Sequence, residues 1–259
     1  MNCIRALALA EASCAMDEHA PYQYFEDVNW GLLRLWGQRK GLRVLDAGCG
    51  FATTSARIQK LGNDVTGIEE SAEACAVAAT RLSRVVQGDL VSADPGGAFD
   101  VIIFADVLEH LPWPVGVLKR YLQWLAPGGS VIISLPNVGL WSVRLSHLLG
   151  RWEYEETGVL DRTHLRFFTR KSAQWMIGAA GLEVAKTVYN PGMIRPFVPH
   201  AKKLLTSSSA PGAQAADALL ISKPYQLYLK TAYPIERAVA SLWPGMLAFQ
   251  MIFEAKRVP

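Results

Sequence analysis

The 259-residue chain is poor in cysteine. Cys3, Cys14, Cys49 and Cys75 form no CxxC pair and stand at no metal-ligand spacing. The expectation is free, buried thiols in a reducing compartment, the cytoplasm, and no metal. Long apolar runs are missing too. No window reaches the roughly 18 uninterrupted apolar residues of a spanning helix. The run at 4–10 is interrupted by Arg5 and stopped by Glu11. It is too short, and too lightly charged at its front, for a signal peptide. An excess of one charge is also lacking. Lys and Arg number 26 and Asp and Glu 23, a net charge of +3, with the basic residues scattered. That argues against a dedicated nucleic-acid binder.

What is present is apolar content. Hydrophobic residues make up 51% of the chain and mean hydropathy is +0.15. The length suits one large domain, or one domain with a sizeable insertion.

The central stretch is Val44-Leu45-Asp46-Ala47-Gly48-Cys49-Gly50-Phe51-Ala52. It reads as a buried strand, a tight turn and a helix start. Gly48 and Gly50 allow positive φ and a close approach of backbone to a ligand, and new helical N–H groups would face that ligand. Spacing alone leaves the turn open between a nucleotide cradle and an ordinary αβ connection. Asp46 ahead of the glycines and Ala52 after them depart from the GxGxxG dinucleotide turn.

Around it, apolar runs at 43–47, 64–68, 84–87, 99–104 and 130–135 alternate with helical patterns at 53–61, 72–82 and 114–125. This spacing predicts βαβ units and a mainly parallel sheet with both faces covered. Ligands of such sheets lie beyond the carboxyl ends of the strands. Asp46, Glu69, Asp89, the 106–110 segment and Asn137 all fall there. Glu69 lies about twenty residues past the turn, where a carboxylate can accept from both ribose hydroxyls. A plain surface acid is the alternative. Asp89 can accept from an adenine amine with Leu90 on the ring, or simply cap a turn.

Val85-Val-Gln-Gly-Asp-Leu90 and Phe99-Asp-Val-Ile-Ile-Phe-Ala-Asp-Val-Leu-Glu-His-Leu111, with Asp46-x-Gly48-x-Gly50 and the Leu-Ala-Pro-Gly-Gly turn at 125–129, resemble the motifs of class I S-adenosylmethionine (SAM) methyltransferases, in order, from about 44 to 135. The resemblance implies a Rossmann-like α/β fold: a seven-stranded, mostly parallel sheet with helices on both faces and a substrate lid. It implies S-adenosyl-L-methionine as cofactor, held by Asp46, Gly48, Cys49, Gly50, Glu69, Asp89, Leu90, Ala105, Asp106 and Val107. Asp46 would hold the loop and the methionine ammonium. His110 points toward the transferred methyl in some members, or else fixes its loop.

The segment Leu160-Asp161-Arg162-Thr163-His164-Leu165-Arg166-Phe167-Phe168-Thr169 resembles a box found in bacterial methyltransferases of surface-polysaccharide or natural-product pathways, and more loosely in ubiquinone-type O-methyltransferases. Four adjacent polar side chains need partners if buried, or a ligand. Asp161 can pair with Arg166 or Arg162, and His164 can orient the lid or act directly.

The organisation expected is therefore an arm and cover helix (1–40), a SAM-binding core (41–136), a lid insertion (137–170) and a C-terminal part of the sheet (171–259) with a 190–245 insertion. Tyr22, Tyr24, Asn137, Arg144, Asp161 and Arg162 are the substrate-side candidates. The expected reaction is methyl transfer to a hydroxyl of a small molecule (a sugar, glycan or natural-product intermediate), with His164 first and His110 second as base. An N-acceptor, an NAD-dependent oxidoreductase and a non-catalytic partner protein of the same fold are the alternatives. A small-molecule substrate and no nucleic acid are expected. The aromatic and basic residues of 190–245 suit a peripheral membrane contact, a homodimer or extra core cover.

Overall fold

The computed structural model describes residues 28–193, 227, 228 and 230–258. Tyr22, Tyr24 and most of the 190–225 stretch lie outside the described residues.

Seven strands form one sheet in the order β3-β2-β1-β4-β5-β7-β6. They are β1 (Arg43–Ala47), β2 (Asp64–Glu69), β3 (Arg84–Gln87), β4 (Phe99–Ala105), β5 (Leu125–Pro136), β6 (Leu182–Pro191) and β7 (Ala248–Arg257). The first five pair in parallel, and β7 is antiparallel to both β5 and β6. The central strands carry no polar alternation because both faces are covered. Leu45, Ile102 and Phe104 point into one apolar cluster. Val44, Val101 and Ile103 point into the other.

Helices fill the crossovers. On one face α1 (Trp30–Trp36), α2 (Ser55–Lys60) and α3 (Ala72–Ala78) bring Leu32, Trp36, Ile58 and Ala78 to the sheet. On the other, α4 (Pro114–Tyr121) and α6 (Arg170–Ala179) bring Leu118, Tyr121, Met176 and Ile177. Each such fully buried Leu, Ile or Met contributes about 1.5–3 kcal/mol. The starts of α1 and α6 are set by caps. Asn29 accepts from the Leu32 N–H, and Thr169 and Ser172 form a reciprocal capping box.

One element differs from the expectation. The 125–129 segment is the opening of β5 rather than a turn before it, since Leu125 already pairs with Phe99. The register slips between Phe99 and Val101, and Gly128 at φ +74° and Gly129 absorb the irregularity. A Cβ on Gly129 would stand 2.9 Å from the Asp100 carbonyl oxygen, so backbone approaches backbone there. The lid helix α5 (Trp141–Leu148) buries none of its residues, and Leu145 and Leu148 face outward. In the C-terminal insertion stands α7 (Ala232–Leu242). It buries Glu236 and Ala240 and leaves Ile235 and Leu242 exposed. The four-residue α8 (Pro244–Leu247) leads into β7. No helix of the described residues is long and apolar enough to cross a membrane.

Candidate functional site

At the carboxyl end of β1 the chain turns through Gly48 at φ +80° and Gly50 at φ +52°, with Ala52 also at positive φ. The N–H groups of Gly48 and Cys49 both donate to the Ile68 carbonyl at 2.9 Å, which pins the turn to β2. A Cβ on Gly48 would lie 2.7 Å from Val107 Cγ2 and 3.5 Å from Leu90 Cδ1. The turn, the loop after β3 and the loop after β4 therefore converge on one backbone position.

Under this turn sits Asp46. It is buried, and its Oδ1, like the nearby Ser55 Oγ, makes no hydrogen bond. Burial pushes its carboxyl up to about 6, with the Glu69 charge adding and the Ser55 hydroxyl opposing. A buried carboxylate without a partner suits a cation. Glu69 is tied to the turn: Oε2 accepts from Gly50 N at 2.8 Å, and Oε1 from the Glu70 and Ser71 N–H groups at 2.9 Å. The ribose-accepting carboxylate of the sequence reading thus also holds the glycine loop in shape. Cys49 packs its thiol on Gly67 of β2, where a Cβ would come within 2.6 Å of Sγ. Burial, then the Asp46 and Glu69 charges, push that thiol up and keep it protonated. Asp89 is exposed and Oδ1 caps its own turn through Val91 N at 3.0 Å, while Leu90 is half-buried.

Ala105, Asp106 and Val107 follow β4. Asp106 stands at φ +55°. Its carboxylate accepts from Ser134 Oγ at 3.0 Å and from Gln250 Nε2 at 2.6 and 2.7 Å. Asn29 Nδ2 also reaches it, at 3.4 Å. This network ties the start of α1 to β4, β5 and β7, and Asn190 extends it to Arg34 and Tyr233. None of Asn29, Ser134, Asn190 or Gln250 was legible as a site residue. Each is a lone polar residue at an element's end, and only the sheet order brings them together.

The second half of the site joins segments 54 positions apart. The backbone N–H groups of Leu165 and Arg166 both donate to the Glu109 carbonyl at 2.9 Å, clamping the 160–169 box against the loop after β4. His110 and His164 then meet edge to face, with ring centroids 4.8 Å apart. His110 Nδ1 faces the Thr163 carbonyl oxygen at 3.2 Å and Thr163 Oγ1 at 3.1 Å. Thr163 gives its own hydroxyl proton to Asp161 Oδ1 at 2.6 Å, so Oγ1 is an acceptor toward His110. His164 Nδ1 faces the Val159 carbonyl at 3.1 Å. Carbonyl partners favour the proton of each ring on Nδ1 and turn Nε2 away from them. Burial, then His164, pull the His110 imidazole below its ordinary value and keep it neutral.

Glu109 completes this group. It is 1% exposed, its Oε2 makes no hydrogen bond, and its Oε1 lies 4.0 Å from His164 Nε2. Burial, with the Asp106 charge adding, pushes its carboxyl well above the usual range. Glu109 was part of the recognised motif but not among the expected site residues. A carboxylate between a leucine and a histidine just past a strand gives no sign that it will be buried. Glu109, His110 and His164 each bring one ligand atom within 4.8 Å of the others, a grouping hidden by the sequence separation.

The substrate-side candidates have other partners in the fold. Asn137 is fully buried, donating to the Ala248 and Pro244 carbonyls and accepting from Gly139 N at 3.0 Å. Its amide is consumed in holding the β5 end to β7. Asp161 is buried and supports Thr163, pairing with neither Arg162 nor Arg166. Arg162 is exposed and pairs with Glu156, while Arg166 donates to the Pro112 carbonyl. Arg144 lies on the exposed lid helix with Nε on the Gly139 carbonyl.

Comparison with known proteins agrees with this geometry. A family model described as "Methyltransferase domain" matches residues 16–187. Ubiquinone biosynthesis O-methyltransferase of Nitrosococcus oceani is 31% identical over 134 residues, 47% of this chain and 56% of that enzyme. The protein of the same name from Burkholderia thailandensis is 30% identical over 164 residues, covering 58% of this chain and 70% of that enzyme. Magnesium protoporphyrin IX methyltransferase from Synechocystis PCC 6803, crystallised with bound SAH, superposes with a TM-score of 0.52 over 88% of this chain and 79% of its own, at 17% identity.

Proposed function

The chain belongs to the SAM-dependent methyltransferases, and on that premise we propose that it methylates a hydroxyl oxygen of a small molecule. The observation that carries the reading is the imidazole pair: His110, on the loop after β4, and His164, on the box clamped against that loop, meet with ring centroids 4.8 Å apart. The relatives named as ubiquinone biosynthesis O-methyltransferases support an oxygen acceptor. Within the acceptor class, a sugar, glycan or natural-product hydroxyl is the reading we favour, with the cytoplasm as its compartment.

The residues fit the cofactor. Asp46, buried with an unpartnered oxygen, takes the methionine ammonium. Glu69 takes the ribose, Gly48 and Gly50 give backbone approach, and Leu90 and Asp89 take the adenine. Bound SAM supplies an electrophilic methyl on a sulfonium. The chain supplies position, worth at most about 7–11 kcal/mol in the best cases, and a place for the acceptor's proton. As the hydroxyl oxygen takes the methyl its proton has to leave, and the imidazole pair is placed to promote that loss. A positioned base of this kind contributes about 10²–10⁴-fold.

His164→Ala and His110→Ala are therefore expected to lower turnover by about that factor with SAH affinity near that of the unaltered chain. Turnover that survives both substitutions overturns the base assignment and points to an amine acceptor, which brings its own lone pair.

A further inference from the structure

We propose that Glu109, His110 and His164 form a divalent-cation site that grips the acceptor oxygen. The inference deepens the hydroxyl-acceptor reading and rests on it for the position of the acceptor.

Three observations carry it. The ligand atoms of the three side chains already lie within 4.8 Å of one another. With metal–ligand bonds of about 2.1 Å, neighbouring ligands of a tetrahedral ion stand about 3.4 Å apart. Closing on an ion therefore asks only for a contraction of the order of an ångström. Next, one oxygen of the Glu109 carboxyl is left unsatisfied by the described residues. It is 1% exposed, Oε2 makes no hydrogen bond, and Oε1 at 4.0 Å is too far from His164 Nε2 to share a proton. A buried carboxyl in that condition is costly, and an ion between the rings and the carboxylate would relieve it.

Third, the surroundings orient both imidazoles as ligands. Val159 holds the Nδ1 proton of His164. Thr163 holds that of His110 by carbonyl and hydroxyl, with Asp161 behind the hydroxyl. Outer partners of this kind fix the ring tautomer and raise ligand basicity in metal sites. A mere packing contact between rings does not require them.

Two imidazoles and one carboxylate suit a borderline ion of the Mn²⁺ to Zn²⁺ series better than Mg²⁺ or Ca²⁺, which favour all-oxygen shells. Three protein ligands leave open positions for the acceptor hydroxyl and a water. An oxygen bound to the ion is more acidic and carries more lone-pair density at neutral pH. Its proton then leaves to water, and the oxygen forms the new bond to the methyl carbon as the C–S bond breaks and its electron pair leaves on the sulfur. The imidazoles act through the ion rather than as the proton's first stop.

The test uses the full chain, stripped with chelator and titrated with Mn²⁺, free Mn²⁺ being read by its spin resonance. About one equivalent is expected to bind. Glu109→Gln and His164→Asn are each expected to weaken binding by about 100-fold or more, with SAH affinity unchanged as the check on folding. In the unsubstituted chain, Zn²⁺ is expected to shift the imidazole NMR signals of His110 and His164 and leave His19, His147 and His200 in place. This arm needs no variant to fold. Absence of stoichiometric binding of either ion, binding that both variants retain, or Zn²⁺ shifts at other histidines overturns the proposal. Methyl transfer that continues in chelator without bound ion also overturns it, while leaving the hydroxyl-acceptor reading intact.

Discussion

Thr163 meets His110 Nδ1 twice, with its carbonyl oxygen at 3.2 Å and its hydroxyl oxygen at 3.1 Å. One residue of the lid box thus sets the tautomer of a histidine on the loop after β4. Thr163→Val keeps the shape and removes the hydroxyl. Turnover is expected to fall by about 10–100-fold, the usual effect of losing an outer partner, with SAH affinity unchanged by calorimetry. A structural role alone would leave turnover at low temperature near normal.

The glycine turn has a steric test. Gly48→Ala places a Cβ 2.7 Å from Val107 Cγ2 at a backbone φ of +80°. SAH affinity is expected to drop by about 10-fold or more, given 1–3 kcal/mol of backbone strain before the clash is counted. Adding Val107→Ala removes the clash but not the strain. The double variant is expected to recover part of the loss in the same titration.

Much of this architecture is legible in the sequence. Strand β1 falls on its apolar run, because a run buried on both faces leaves no ambiguity of register or face. The cofactor half follows the chain closely, since each of its acids stands at or just past the carboxyl end of a strand. The acceptor half does not. Glu109 and His164 meet only when Leu165 and Arg166 donate to the Glu109 carbonyl. Asn137 looks like a ligand at a strand end, yet its amide is spent on three backbone groups. Spacing cannot tell a polar side chain that faces a ligand from one that faces carbonyls of a distant segment.

Asp46 gives a pH signature. Its carboxyl sits at about 6 in the unliganded fold, against an ordinary value near 4. The folded state binds the extra proton, so the associated stability is present below about pH 4 and is lost as pH rises through 6, up to about 3 kcal/mol. Asp46→Asn is therefore expected to raise the unliganded melting temperature at pH 7 and to weaken SAH binding. In the unsubstituted chain, SAH affinity is expected to rise from pH 5 to pH 7, as the carboxylate charges. Calorimetric titrations across that range check the sign.

Asn137→Ala is expected to act on stability. It strands the Ala248 carbonyl and Gly139 N–H in a fully buried site. The cost is expected to be about 2–4 kcal/mol in denaturant unfolding. SAH affinity of the folded fraction is expected to stay unchanged, which separates this residue from the acceptor side.

The most direct measurement follows the methyl group itself. Purified chain is incubated with methyl-labelled SAM and a small-molecule extract, in parallel with the His164→Ala variant. The label is expected on a hydroxyl oxygen of one small molecule, formed by the unaltered chain and not by the variant. Label on nitrogen or on protein, or equal transfer by the variant, would contradict the account.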